Sequence, residues 1–596
     1  MASTPTQENP ERRLAALRAQ MQRHGVEALL VPRSDRFLGE YVPPNAERLA
    51  WLTGFTGSAG LAVILMDRAV LFTDGRYLTQ ASQEVDAGLF TISHIIATPP
   101  QAWLADAAPA ARLGYDPWLH TEAFIARFAD TAWPVALDEN LIDAIWQDRP
   151  PPPNAMLEIH PAGFAGHAAA DKRDALAGEL RAASQAACIL ADPHSVAWLL
   201  NIRGADLPHT PIILAQAIAH ADGKVDLFVD AARVDAAARE HLGADVTLQP
   251  PGQLAAALTV LAGKAVRLDP DSTPAWFGVQ LKLAEAKPVL ATDPCRLPRA
   301  KKNQTERGGA RAAHLRDGLA MARFLNWFAA HAPSGRLTEM AAAAALLTFR
   351  QGGEHFRAES FPAISASGPD GAVIHFRPSA SRDRPINPNE IYLIDSGAQY
   401  RDGTTDITRT LWSGPDAPPA DVAGLYTRVL RGHLALSAAR FPVGVCGPHL
   451  DALARGPLWE VGLDYDHGTG HGVGSFLSVH EAPPGISRAS PMVPLAEGMI
   501  VSNEPGYYAA GEFGIRIENL LMVQSTEPAP AQAKPFLAFE TLTLAPYDRS
   551  LIRTDMLQAA EIAAIDAYHQ RVVAALAPHL PPDVQTWLTR VCQPLG

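Results

Sequence analysis

The sequence predicts a mixed α/β (α+β) protein, with two related α/β domains followed by a third region of different character. Three observations carry that prediction. The stretch "DRPPPPN" (Asp148 to Asn154) interrupts the chain with a run of prolines, which continues neither a helix nor a central strand. Helical and strand patterns repeat in the same order on either side of it. "WLTGFTG" (Trp51 to Gly57) and "WLLNIRG" (Trp198 to Gly204) share a Trp-Leu pair with a glycine six residues after the tryptophan. From residue 360 onward the chain changes to short strands punctuated by Gly, Pro and Asp, and the acidic and histidine residues of interest all lie there.

The first domain opens with "ERRLAALRAQMQRHG" (Glu11 to Gly25), a helix with Leu14, Leu17 and Met21 on one face and a glycine stop. "VEALLVP" follows as a strand, and "LAVILMDRAVLFTDG" (Leu61 to Gly75) reads as a hairpin turning at Asp67-Arg68. "FTGSAG" (Phe55 to Gly60) lacks the Lys-Ser/Thr ending of a phosphate loop. Beyond the linker, "AADKRDALAGELRAASQ" is the matching helix, and "ACILAD", "PIILAQAI" and "KVDLFVD" are the matching strands. The third region begins with two helices, "KKNQTERGGARAAHLRDGLAMARFLNWFAAH" and the alanine-rich "LTEMAAAAALLTFRQGG". The basic run "RAKKNQTER" (Arg299 to Arg307) reads as a solvated surface, and the residues after about 540 as a C-terminal appendage with a helical tail.

Composition narrows the function classes. With 596 residues, 47% hydrophobic and 19% charged, the chain is an ordinary globular protein of several domains. A formal net charge of −13 argues against a broad nucleic-acid surface. No apolar run approaches a membrane span, and "MASTPTQENPERR" lacks the apolar centre of a secretion signal. A cytoplasmic protein is expected. Cys188, Cys295, Cys446 and Cys592 are scattered and form no metal-binding or disulfide pattern, so each reads as a buried small hydrophobe.

The chemistry gathers in two acidic pairs and a histidine segment. "EIYLIDSGAQYRDGTTDITRTLW" (Glu390 to Trp412) has an apolar strand ending at Asp395 and a Thr-rich strand starting at Asp406, with a turn at Tyr400–Gly403. A hairpin would bring the two carboxylates together, and like charges so close need something positive between them. A second pair follows, with Glu504 ending "GMIVSNEPG" and Glu518 in "FGIRIENLLMV". Arg516 and Glu518 alternate with Ile515 and Ile517, the pattern of one shared strand face. Between the pairs lies "HGTGHGVGSFLSVHE" (His467 to Glu481). His467 and His471 have the spacing of a helical zinc motif, but the glycines around them disfavour a helix. Four carboxylates and one imidazole make an oxygen-rich site for two divalent cations such as manganese, cobalt, iron or zinc. Cations paired in this way hold a hydroxide between them.

These residues, with "IDSGAQYRDGTTDITRT", "SNEPGYY", "LTGFTGSAG", "IWQDRP" and "AWLLNIRG", resemble the pita-bread metallopeptidases of family M24. Within them the chain is most similar to aminopeptidase P, the Xaa-Pro aminopeptidases, in their long three-domain cytosolic form. The resemblance implies two creatinase-N-terminal-like α/β domains (residues 1–150 and 155–305), a pita-bread catalytic domain (306–535) and a C-terminal extension (536–596). It implies two metal ions, manganese before cobalt or zinc, with Asp395 on one, His471 and Glu504 on the other, and Asp406 and Glu518 shared. It further implies a substrate-contacting His375, a carbonyl-binding His480, a pocket histidine at His467 and a supporting Arg516. Glu504 is the candidate proton shuttle. The implied activity is removal of the N-terminal residue from peptides with proline second, by attack of the bridging hydroxide, in a homodimer without nucleic-acid or membrane partners.

Rival readings remain at this point. Prolidase shares the ligands but splits Xaa-Pro dipeptides, and methionine aminopeptidase is shorter. Creatinase does not use metal, and non-catalytic pita-bread proteins bind partners but tend to lose ligands. His375, His467 and Arg516 taken singly also read as structural residues.

Overall fold

The computed structural model describes residues 9–526 and 534–595. Residues 1–8, part of the segment read above as lacking the apolar centre of a secretion signal, lie outside the described residues. The chain forms two compact units. One comprises Met1–His160, His167–Leu207 and Ile212–Cys295, and the other Pro161–Gly166, Pro208–Pro211 and Arg296–Gly596.

The first unit carries the repeat in full. Its first sheet contains β1 (Ala28–Pro32), β2 (Leu61–Leu65), β3 (Ala69–Thr73), β4 (Thr91–His94), β5 (Arg112–Tyr115) and β6 (Trp133–Ala136), ordered β4-β3-β2-β1-β5-β6. The second contains β7 (Ala187–Leu190), β8 (Gln216–His220), β9 (Val225–Phe228), β10 (Val246–Gln249), β11 (Ala265–Leu268) and β12 (Lys287–Leu290), ordered β10-β9-β8-β7-β11-β12. Each sheet has two antiparallel pairings, β1/β2/β3 and β7/β8/β9, and three parallel ones at equivalent places. The Trp-Leu segments fall on equivalent helices, Arg48–Thr53 and Pro193–Leu199, between the first and second strands of each sheet.

Local chemistry explains the elements. The helix Pro10–Arg23 starts where the Asn9 side chain accepts the Glu11 N–H, and Leu14, Leu17 and Met21 bury its inner face. The strand expected over "PIILAQAI" begins only at Gln216. The apolar residues Ile212 and Ile213 are buried all the same, so their hydrophobicity signalled burial rather than pairing. All four cysteines are free and buried, and no described helix is long and apolar enough to cross a membrane.

The second unit is built on the long helix Gln304–His331, capped by Asn303 and Glu306 in a reciprocal box. Its residues Met321, Phe324, Leu325 and Phe328 pack with Tyr392, Ile394, Ile407 and Leu411 of a small sheet. That sheet has the order β13 (Ile364–Ser367), β14 (Ile391–Ser396), β15 (Ile407–Trp412). A larger antiparallel sheet contains β16 (Arg440–Pro442), β17 (Gly470–Gly472), β18 (Glu481–Ile486), β19 (Ile500–Asn503), β22 (Asn519–Ser525) and β23 (Phe536–Thr541). The two-stranded ribbon of β20 (Gly506–Ala509) and β21 (Phe513–Arg516) lies between β19 and β22 in sequence. Helices Ala559–Leu576 and Pro582–Val591 of the C-terminal segment pack against Ala322 of the long helix through Val572, Leu576 and Leu588.

Two further expectations need correction. Arg516 and Glu518 do not lie on one strand, because the chain leaves the ribbon after Arg516 and enters β22 only at Asn519. Ile515 and Ile517 are buried as well, so a two-faced strand pattern cannot assign sides here. The run "RAKKNQTER" is not a uniform solvated surface either. Arg299 and Lys302 are 5% and 3% exposed.

Candidate metal centre

β14 and β15 are antiparallel neighbours with Asp395 opposite Thr408, which sets Asp406 at the mouth of the hairpin beside Asp395. A small excursion, Ala398–Tyr400 paired with Gly403–Thr404, fills the turn. On the larger sheet, β17 carries His471 and β19 leads into Glu504. The glycines flanking His471 exist for close approach. A Cβ on Gly470 would lie 2.0 Å from the Ser502 carbonyl oxygen, and one on Gly472 would lie 2.2 Å from that of Glu481. His471 therefore belongs to a tightly packed strand, not to a zinc helix.

The five expected ligands converge. Ligand atoms of Asp406, His471 and Glu518 all lie within 4.8 Å of one another. The His471 Nε2 is 3.5 Å from both Asp406 Oδ2 and Glu504 Oε1. Its Nδ1 faces the Gly472 carbonyl at 2.9 Å, which fixes the ring with Nε2 toward the carboxylates. Asp395 is held by Arg516 Nη2 at 2.7 Å. Thr408 Oγ1 donates to Glu518 Oε2 at 2.8 Å and accepts from Arg516 Nε at 3.3 Å.

Electrostatics make the cluster costly without cations. Burial first, then the neighbouring carboxylates, raises Glu518 well above its usual range, and Asp395 and Glu504 rise for the same reasons, partly opposed by Arg516 and His471. Burial alone would depress His471, but Asp406 and Glu504 outweigh it and lift the imidazole to about 9. Asp395 Oδ1, Asp406 Oδ1 and Glu518 Oε1 are buried without a hydrogen-bond partner. Orphaned anionic oxygens facing one another fit divalent cations.

The sign of these shifts gives a prediction for the chelated protein. A raised folded pKa means the folded state holds its proton more tightly. The His471 contribution is therefore complete below about pH 6.5 and is lost as pH rises through about 9. The raised carboxyls act in the same direction above the ordinary carboxylate range. The melting temperature in chelator should fall between pH 6.5 and 9 more steeply than that of the manganese-loaded protein. Parallel profiles in differential scanning fluorimetry would reject this.

Of the remaining expected residues, His480 packs on the cluster, His467 is linked to it through Tyr508 and Arg516, and His375 lies on a separate segment. The exposed His480 ring packs edge-on against His471, with centroids 4.3 Å apart. His467 has its Nδ1 at the Gly468 carbonyl (2.8 Å) and its Nε2 at the Tyr508 hydroxyl (2.8 Å). His375 is half-buried and follows the turn Gly368–Ala372, which packs against the ribbon strand β21.

Sequence reasoning missed Tyr508, although it lies in the quoted "SNEPGYY". Its hydroxyl accepts from Arg516 Nη1 at 2.6 Å and burial pushes it up to about 12, so it stays protonated and donates to His467. The chain Asp395–Arg516–Tyr508–His467 thus links a candidate ligand to a pocket histidine. The only signal for it was the tyrosine pair after Glu504.

Comparisons with known proteins place the chain in a family. The family models for the metallopeptidase family M24 and for the C-terminal region of peptidase M24 match residues 308–525 and 535–595. Two creatinase/prolidase N-terminal domain models match residues 13–144 and 148–306. A probable Xaa-Pro aminopeptidase P of Aspergillus clavatus is 37% identical over 99% of this chain and 93% of its own. The crystal structure of X-prolyl aminopeptidase from Caenorhabditis elegans, described as a cytosolic enzyme with a di-nuclear active site, is 32% identical. It has a TM-score of 0.94 and covers 99% of this chain and 100% of that one. A dipeptidase PepE from Mycobacterium ulcerans, 28% identical with a TM-score of 0.50, covers 64% of this chain and 96% of its own. With a full-length match on this scale and an M24 catalytic region, the chain belongs to the metallopeptidase family M24, among the Xaa-Pro aminopeptidases P, and is a peptidase hydrolase.

Proposed function

We propose that the protein removes the N-terminal residue from peptides whose second residue is proline, using two divalent cations. The observation that carries this reading is the convergence of Asp395, Asp406, His471, Glu504 and Glu518, with three orphaned carboxylate oxygens, in a chain similar to Xaa-Pro aminopeptidases throughout its length. In this reading Asp395 would hold one cation, His471 and Glu504 the other, and Asp406 and Glu518 would serve both. Manganese is the first choice. When bound, the pair would supply a water-derived nucleophile at neutral pH and polarise the scissile carbonyl.

The side chains do the rest. His480, exposed beside His471, donates to the carbonyl oxygen as charge develops there. Glu504, whose carboxyl is raised by burial and by Asp406, carries a proton to the departing proline nitrogen. Tyr508 and Arg516 hold His467 against the pocket and Asp395 in place. His375 contacts the substrate. The Xaa-Pro bond has no N–H, so selection depends on pocket shape rather than on an amide donor. A homodimer, a cytosolic location and divisions near residues 150, 305 and 535 belong to the same proposal.

The test uses purified protein loaded with manganese and three peptides: Xaa-Pro-Yaa, Xaa-Ala-Yaa and the dipeptide Xaa-Pro. Release of the first residue from Xaa-Pro-Yaa alone, abolished by chelator, is the expected result. Preference for the dipeptide would make it a prolidase. No turnover with manganese, cobalt or zinc would leave a non-catalytic binding protein.

A further inference from the structure

The basic segment before the long helix holds a buried charge cluster that the chemistry above does not use. The short helix Arg296–Ala300 and the next residues bring Arg299 and Lys302 onto Glu481. Lys302 Nζ forms an ion pair with Glu481 Oε1, and Arg299 Nε lies 3.4 Å from Oε2. All three residues are buried, at 5%, 3% and 4% exposure for Arg299, Lys302 and Glu481. Backbone contacts tighten the arrangement. Lys302 N donates to the Gly498 carbonyl at 3.1 Å, and Arg296 Nε reaches the Ala482 carbonyl at 3.5 Å. Gly498 has φ +86°, and a Cβ there would lie 2.5 Å from the Lys302 carbonyl oxygen, so this approach depends on glycine.

Glu481 is the residue after His480. It is also paired across the sheet with Gly472, the residue after His471. Its backbone thus sits at the junction between the candidate ligand His471 and the exposed His480 ring packed against it. We propose that Lys302, Glu481 and Arg299 are positioning residues for His480, fixing the start of β18 so that the imidazole meets the substrate carbonyl. Buried ion pairs contribute little net stability, because desolvation offsets their attraction, but they resist any arrangement that separates the partners. A residue that must hold one orientation beside a reacting carbonyl benefits from such a constraint, since small misplacements there cost rate. The cluster carries one more cation than anion, and the five-ligand site beside it is acidic, so the local fields complement each other.

This inference rests on the peptidase reading, so it is tested on whichever of the three peptides the wild type turns over. Failure of that reading then shows in the wild type alone. Lys302→Met is measured in the wild-type and in the His480→Ala background. Positioning through His480 requires kcat to fall about 10- to 100-fold in the first background, with KM within about twofold, and to change little in the second. Metal content and melting temperature are followed in the same samples. An equal fold-loss of kcat in both backgrounds, or a loss that tracks lost metal, would overturn the proposal and leave the cluster a purely structural lock. If Lys302→Met does not fold, the isosteric Glu481→Gln carries the same comparison with the same two outcomes.

Discussion

Glu518→Gln is expected to cut peptide hydrolysis about 1000-fold, equivalent to about 4 kcal/mol of barrier, while raising the melting temperature of the chelated protein. Both effects follow from one feature. Glu518 is 1% exposed, faces Asp406, Glu504 and Asp395, and has a buried Oε1 with no partner. In the proposed site its charge would help to hold the cations. Without them, burial and the neighbouring carboxylates penalise its ionised form, a penalty that a neutral amide does not carry. The neutral amide keeps an oxygen for the Thr408 hydroxyl, so the packing survives. Activity assays with manganese and metal analysis would read the first effect, and fluorimetry in chelator the second. A variant that stays active, or that melts lower than wild type in chelator, would remove Glu518 from the metal site.

Arg516→Met should have the opposite signature. The guanidinium is 2% exposed and bonded to Asp395, Tyr508 and Thr408. Removing it leaves Asp395 buried and uncompensated, at a cost of about 3–5 kcal/mol. Urea unfolding in chelator should show that loss. Manganese should recover part of it, because cations would then neutralise the carboxylate. Arg516→Lys should remain impaired, since one ammonium cannot reach three acceptors with the geometry of a planar fork. Full stability of Arg516→Met in chelator would mean that Asp395 is protonated there and needs no partner.

The legible and illegible parts of this protein divide along physical lines. The hairpin carrying Asp395 and Asp406 was readable because apolar strands and a Gly-containing turn are neighbours in sequence. The paired N-terminal sheets were readable for a similar reason, since periodicity and breakers act locally. The buried Lys302 was not, because its partner Glu481 is 179 positions away and a basic run by itself looks solvated. Tyr508 was not, because its role depends on Arg516 from the facing ribbon strand and on His467 from a loop 41 positions away. The strand over "PIILAQAI" was half right, since apolar residues mark burial while pairing depends on the neighbouring chain. Local patterns specified most of the elements, while strand limits and the partners of buried charges and hydroxyls depended on chain that local pattern does not show.

The identical strand order of the two N-terminal sheets bears on how the chain reaches its native state. During synthesis β1 appears with β2 as its partner, and β7 later offers a strand of the same length class and the same position in an equivalent sheet. Tandem copies of one topology invite exchange of equivalent strands between neighbours, a recognised route to misassembly in repeat proteins. The copies differ where exchange would occur. β2 reads Leu-Ala-Val-Ile-Leu and is buried throughout, whereas its counterpart β8 reads Gln-Ala-Ile-Ala-His. Gln216 and His220 placed at the β2 positions would bring polar side chains into the first core, and the β2 leucines at their positions would leave His220's partner Asp226 without its bond. The differing side chains of β2 and β8 would therefore disfavour exchange of one strand for the other.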